Sequence, residues 1–249
     1  MGMTMMERTD VMVAAVGRGG IEKYLTAGQA DLLGQIMQPK KAKAGMTLFM
    51  EGEQAGQLYY IRSGRVQLRK STEDGKELIL SIQQNGDIIG EFSGLGGEEY
   101  TYTAEIVEAG ELGVIRVKDL EQLLVQHGDL AVQFMKWMGT NQRIQQSRFR
   151  DLLLYGKTGA LASTLIRASN SCGVKVPGGI MINMKLNHTV LAEMVGATRE
   201  SVNRMLSSLK EQGTMDVLDG KLVIRDMEEL RSMCGCPTYG RCPQEICRL

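Results

Sequence analysis

The hydrophobic period of this 249-residue chain changes near residue 117, and that change restricts the folds open to it. Upstream, over residues 45–120, the apolar runs TLFM, LYYI, VQL, ELILSI, DIIGEF, TAEIV and LGVIRV alternate with EGE, RSG, EDG, NG, GG and AGE. Runs this short, punctuated this regularly by glycine, predict an antiparallel barrel or jelly roll. STEDGKE, between VQL and LILSI, predicts a hairpin with Gly75 at positive φ. Downstream, VKDLEQLLVQHG reads as a helix with Asp119 near its start, and from Asp129 to Tyr155 there is no proline and one glycine, Gly139. Within that stretch Leu130, Phe134, Trp137, Asn141 and Ile144 recur at alternating steps of four and three, the seam of a coiled coil with Asn141 as its polar register-setter. Phe134 and Trp137 are costly to expose. They could pack on the chain's own barrel, but a stripe that outruns the barrel favours a parallel dimer across this helix. Asp151 lies on the same stripe.

GKTGA predicts a break in the long helix at Gly156 and Gly159, and ALASTLIRASNSCG a further helix ended by Gly173. After a loop, LNHTVLAEMVG and TRESVNRMLSSLKEQG read as two helices, and MDVLDGKLVIRD as two strands about an Asp-Gly turn. Helices followed by a small hairpin make a winged helix. The turn between the helix pair is diagnostic: small Ala192 lets the helices approach, Gly196 four residues later can take the left-handed conformation, and Thr198 can cap the next helix. Val202, Met205, Leu206 and Leu209 form that helix's buried face, leaving Arg199, Glu200, Asn203 and Arg204 exposed near its start, where a recognition helix meets base edges. The competing reading is an ordinary helical hairpin with a solvated polar face.

The 29 basic and 29 acidic residues balance, so whole-chain charge advertises neither nucleic acid nor membrane. No apolar run approaches the ~20 residues of a spanning helix. The Met-rich start lacks the basic end and apolar centre of a signal peptide, so a cytoplasmic protein is expected, in which disulfides are a weak default. Four of the five cysteines, Cys234, Cys236, Cys242 and Cys247, fall in the last sixteen residues. Their spacing leaves three chemistries open: an iron–sulfur cluster, an all-thiolate zinc site, or redox thiols. Cys172 reads as a structural thiol, and Asp151 as a partner of Arg148 or Arg150. The tail holds too little apolar content to fold unaided, so metal ligation is expected to order it.

LYYIRSGRVQL, GEFSGL, the long helix and TRESVNRML resemble the Crp/Fnr superfamily of bacterial transcription regulators over roughly residues 25–230. FMKWM, RDLLLYGKTGALASTLIRASNS, RESVNRML and CPQEIC are most similar to its Gram-positive Fnr branch. The Met-rich residues 1–20 read as a flexible lead-in, and the resemblance implies an α+β chain: a cyclic-nucleotide-binding-type β-barrel (jelly roll) over 21–128, a dimerisation helix over 129–155, a winged helix-turn-helix over 156–232 and a cysteine-rich tail over 233–249. The superfamily's nucleotide binders carry a Gly-Glu stretch and then an Arg-Ser/Thr-Ala triplet. Here Gly90 and Glu91 are present, but the triplet reads Tyr102-Thr103-Ala104, and tyrosine cannot replace a bidentate cation. No cyclic nucleotide is expected, and the barrel serves as scaffold. The Gram-positive branch is associated with an oxygen-labile [4Fe–4S] cluster held by three C-terminal cysteines and an aspartate. That pattern maps onto Asp151, Cys242 and Cys247; its first cysteine falls on Tyr239, so Cys236 takes the role, with Cys234 as the alternative ligand. The resemblance thus implies a homodimeric, oxygen-sensing regulator of anaerobic metabolism and not an enzyme. It would read a palindromic TGTGA-like site through Arg199, Glu200 and Arg204 and act on RNA polymerase. The competing function is a small-ligand-responsive Crp-like regulator with a structural zinc or thiol-redox tail.

Overall fold

A computed structural model describes residues 20–92, 99–237, 242–243 and 245–249; most of the Met-rich lead-in, part of GEFSGL, and Tyr239 lie outside the described residues. The described residues gather into two compact units, one of 20–70 and 80–139, the other of 71–79 and 140–249.

The glycine-punctuated runs form eight strands in two antiparallel sheets. One has the order β1 (Gln38–Ala42), β8 (Gly110–Arg116), β3 (Gln57–Ile61), β6 (Ile88–Ile89); the other β2 (Thr47–Phe49), β7 (Thr103–Glu108), β4 (Arg65–Ser71), β5 (Glu77–Gln83). This is the expected jelly roll. Side chains alternate across each strand, so β7 buries Ala104 and Ile106 while Thr103 and Glu105 stay half-exposed. Those inward residues meet Phe49, Tyr59, Ile61, Val66, Leu68 and Leu112 in one core between the sheets. Fully burying an aliphatic side chain such as Ile106 contributes about 1.5–3 kcal/mol. In the STEDGKE hairpin Gly75 sits at φ 76°, as expected.

A second apolar cluster corrects the predicted dimer seam. Leu130, Phe134 and Trp137 are buried within the chain itself, against Ile21, Leu33, Leu58, Leu120 and Leu123. The Phe134 ring lies 5.8 Å from that of Phe92 and 5.4 Å from Trp137. The cover comes from the barrel strands β3 and β8, through Leu58, Tyr60 and Ile115, from a 3-10 turn, Ile21–Tyr24, and from two helices, α1 (Ala27–Gln35) and α2 (Val117–Gln126). Thr26 opens α1 with a capping box: its hydroxyl accepts from the Gln29 amide while the Gln29 side chain accepts from the Thr26 amide. The chain's own barrel, the alternative surface for this stripe, and its N-terminal helical segment thus supply the apolar cover that a partner helix was expected to supply.

The long helical segment α3 (Gly128–Cys172) breaks at Gly156, whose φ of 60° and ψ of −165° suit only glycine. Gly159, expected to share the break, stays helical. An added Cβ there would lie 2.2 Å from Tyr155 Cβ and 3.0 Å from the Met233 carbonyl oxygen, so the residue is small for packing.

In the second unit, the stretch after Cys172 is not the expected loop but a hairpin, β9 (Gly173–Val176) and β10 (Gly179–Ile182), turned at Pro177-Gly178. It joins the wing strands β11 (Met215–Leu218) and β12 (Lys221–Ile224) in the order β11-β12-β10-β9. The Asp219-Gly220 turn has both residues at positive φ, 50° and 73°, the tight hairpin geometry predicted. Helices α4 (His188–Val195), α5 (Arg199–Glu211) and α6 (Met227–Met233) complete the unit. Among the described residues no helix is long and apolar enough to cross a membrane.

Candidate functional site

The first candidate surface is the helix pair α4–α5. Asn187 caps α4 by accepting from the Val190 amide, and α4 ends at Gly196 with φ 60°, ψ 38°, the left-handed turn expected. Thr198 then caps α5 by accepting from the Ser201 amide. Val202, Leu206 and Leu209 are buried, which turns Arg199, Glu200, Asn203 and Arg204 outward. All four are exposed at the start of α5, where a guanidinium can bond guanine O6 and N7 and a carboxylate can accept from cytosine N4.

Within the barrel, Tyr102 fills the position at which a phosphate-binding arginine was sought. Its hydroxyl donates to the Gly90 carbonyl oxygen (3.1 Å) and accepts from the Gly90 amide (3.0 Å). Glu91 accepts from the Thr101 amide at 3.2 Å. Burial pushes the Tyr102 phenol well above its ordinary pKa, so it stays a neutral partner of the backbone.

The third site gathers the cysteines. Asp226 starts α6 by accepting from the amides of Glu228 and Glu229. The helix ends in a turn in which the Cys236 amide donates to the Arg231 carbonyl oxygen (2.9 Å), setting Cys234 and Cys236 just beyond the helix. Gly235 between them lies under the Tyr155 ring, too close for any side chain. The last residues turn through amides of Ile246 and Cys247 that both donate to the Pro243 carbonyl oxygen. These segments and α3 enclose a cavity of about 10 Å³ lined by Cys234, Cys236, Cys242, Cys247 and Asp151, with Arg150 and Arg167 beside them. The proposed ligand residues, including the alternative Cys234, therefore share one pocket. All five cysteines are free thiols. Cys172 stands apart from the pocket lining and donates to the Ala168 carbonyl oxygen, a local helix contact.

Asp151 is buried, and both its oxygens are engaged. Oδ1 accepts from Arg150 Nε (3.0 Å) and Nη2; Oδ2 accepts from Ser163 Oγ (2.5 Å) and Arg167 Nη2 (3.0 Å). The two cations differ: the Arg167 side chain is 6% exposed, that of Arg150 41%. The hydrogen bond to Asp151 raises the Arg150 pKa further. Arg150 was anticipated as a partner of Asp151; Arg167 was not, because no local spacing links the two. Burial pushes the Cys234 thiol up to about 12, with the neighbouring Cys236 adding to the effect, and burial raises Cys247 as well. Both are neutral thiols near neutral pH, so metal binding would release their protons. Among the described residues no three acidic, cysteine or histidine side chains converge tightly enough to hold one ion as they stand.

The tail also makes contacts through groups other than its thiols. Ile246 and Leu249 are buried at 7% and 6% exposure. Arg167 Nη1 donates to the Ile246 carbonyl oxygen (3.1 Å), Asn170 Nδ2 to that of Cys247 (2.8 Å), and the Leu249 amide to Ser171 Oγ (3.0 Å). Asn141, expected to set a coiled-coil register, accepts from Arg248 Nη2 at 3.2 Å. Ile144, of the same expected seam, is 3% exposed.

A jelly-roll barrel followed by a winged helix-turn-helix with an exposed polar recognition face defines a DNA-binding regulator. Residues 39–127 match the cyclic nucleotide-binding domain and residues 159–233 the Crp-like helix-turn-helix domain. The chain is 45% identical over 222 residues to the anaerobic regulatory protein of Bacillus subtilis, covering 88% of this chain and 92% of that one. It is 32% identical to the cAMP-activated global transcriptional regulator CRP of Salmonella typhimurium, over 72% of this chain and 84% of the relative. In fold it is similar to a CooA mutant from Carboxydothermus hydrogenoformans, with a TM-score of 0.69 at 21% identity, over 80% of this chain and 88% of that one. The chain belongs to the Crp/Fnr family of DNA-binding transcription regulators, a family of regulators and not of enzymes.

Proposed function

We propose that the chain is a homodimeric regulator of anaerobic metabolism that senses oxygen through a labile [4Fe–4S] cluster at the cysteine pocket. The observation that carries this reading is the convergence of four free tail thiols and Asp151 on one cavity. The donor set suits the group: thiolates are the usual ligands of such clusters, and Arg150 and Arg167 offset their negative charge. Cys236, Cys242 and Cys247 would hold three irons, with Cys234 as the alternative for the first. Asp151 would supply the fourth ligand through Oδ1, because its partner Arg150 can swing to solvent while Oδ2 stays anchored by Arg167 and Ser163. When bound, the cluster supplies an oxygen-labile tie between the end of the long helix and the tail. The similarity to the anaerobic regulatory protein of Bacillus subtilis supports the same reading.

Dimerisation then uses a different face of α3 from the one expected. Met135 and Met138, and again Phe149 and Leu152, are exposed and lie on one 4-3 repeat. The paired recognition helices would read a palindromic TGTGA-like site through Arg199, Glu200, Asn203 and Arg204, and the bound dimer would act on RNA polymerase in the cytoplasm. No cyclic nucleotide takes part, because the Tyr102–Gly90 bonds occupy the position of a phosphate-binding cation. A second reading, a structural zinc site, is favoured by the four cysteines that line the pocket, since four thiolates also make a tetrahedral zinc site. The test is to prepare the protein without air and measure absorption and binding to such a palindrome before and after oxygen. A brown chromophore lost in air, with a change in DNA affinity, supports the cluster. A colourless protein with oxygen-independent binding contradicts it.

A further inference from the structure

We propose that Arg167 is a positioning residue, which docks the C-terminal tail before any metal arrives. The proposal deepens the cluster reading and rests on it for the pocket's purpose. Arg167 is 5% exposed, and its donors reach three separate segments: Ser147 Oγ (3.0 Å) and Asp151 Oδ2 (3.0 Å) before the Gly156 break, Ser163 Oγ (3.1 Å) one turn earlier on its own helix, and the Ile246 carbonyl oxygen (3.1 Å) in the tail. One buried guanidinium therefore fixes Asp151 and the residue next to Cys247 at once. The same helix face repeats the device. Arg167, Asn170 and Ser171 stand at i, i+3 and i+4, and engage Ile246, Cys247 and Leu249 in that order along the chain. These three bonds meet the tail's backbone and so set the path of the chain, while the Asn170 side chain also hydrogen-bonds the Cys247 thiol. Burial of Ile246 and Leu249 adds an apolar anchor on either side of Cys247. Part of the ordering cost of the site is thus met in the protein fold. Loss of the metal leaves Ile246–Leu249 docked, with Cys247 ready for reassembly.

The test is hydrogen exchange of the full-length, reduced, metal-free protein, followed at the amides of Ile246, Cys247 and Leu249, with those of Val202 and Leu206 as controls. In the wild type the tail amides should exchange well below the rate of an unstructured peptide. Arg167→Met should speed them about 10- to 100-fold, the worth of charge-assisted bonds, and Asn170→Ala about 10-fold. Arg167→Lys keeps a cation opposite Asp151 but loses the fork that reaches the tail. It should speed tail exchange about 10-fold while the controls stay slow, which separates positioning from charge balance. If Arg167→Met loosens the controls too, Asn170→Ala decides: a change confined to the tail supports docking, and none overturns it. Wild-type tail amides exchanging as in an unstructured peptide also overturn it. Slow tail amides in a protein that takes up no iron would sink the cluster reading while still supporting this one.

Discussion

Removing Asp151 should destabilise the metal-free protein far more than removing the arginine that touches it most closely. Asp151→Ala strands the Arg167 guanidinium, whose side chain is 6% exposed, without its carboxylate. Leaving a buried charge uncompensated costs about 3–5 kcal/mol. Arg150→Ala removes a partner that is 41% exposed, and such a pair is worth roughly 0–1 kcal/mol. Arg167→Met falls between the two, because Asp151 keeps Arg150 and Ser163. The double variant Asp151→Ala with Arg167→Met should cost less than the two singles added, by about 2 kcal/mol or more, since contacting groups are coupled. Urea unfolding followed by far-ultraviolet circular dichroism measures all four. With a slope of about 2–3 kcal/mol/M, Asp151→Ala should lower the midpoint by about 1–2 M and Arg150→Ala by less than about 0.5 M. Equal shifts for Asp151→Ala and Arg150→Ala, or strict additivity in the cycle, would refute the claim that the buried pair holds this part of the fold together.

Other outcomes follow from the remaining sites. Arg204→Ala should cost about 1–3 kcal/mol of DNA affinity at one base pair, read by binding a panel of half-site variants; an equal loss on every sequence would place Arg204 on phosphate. Cyclic AMP should leave the melting temperature unchanged, whereas a ligand at 100 times its dissociation constant would stabilise by about 2.7 kcal/mol in calorimetry. Burial raises the thiols of Cys234 and Cys247, so the folded state holds those protons more tightly than the unfolded one. Metal-free stability should therefore be flat below about pH 8.5 and fall as pH rises towards 12, and Cys234→Ala should flatten that fall in chemical unfolding measured across the range.

What could be read from the sequence was local. The glycine-punctuated strands, the Gly196 turn with its Thr198 cap, and the Asp219-Gly220 hairpin each depend on neighbours a few positions away, and each was found as expected. The stripe Leu130, Phe134, Trp137 was rightly read as buried, but its cover was misassigned. Periodicity tells which face of a helix is apolar, not what packs on it, and here Ile21 and Leu33 arrive from about a hundred residues upstream. The contacts of the tail are hidden for the same reason. Its anchors are bonds between Arg167, Asn170 or Ser171 and a backbone 77–79 residues later, which no spacing rule reports. The β9–β10 hairpin is hard to read because each strand is only four residues long, too short for a period to register.

The central claim is that the tail cysteines hold an iron–sulfur cluster. The most direct measurement is the iron, acid-labile sulfide and zinc content of the protein purified without air, beside Cys242→Ala and Cys247→Ala. A [4Fe–4S] site predicts about four irons and four sulfides per chain, little zinc, and loss of both iron and sulfide in either variant. Stoichiometric zinc without sulfide, or iron and sulfide that persist when Cys242 and Cys247 are both removed, would contradict it.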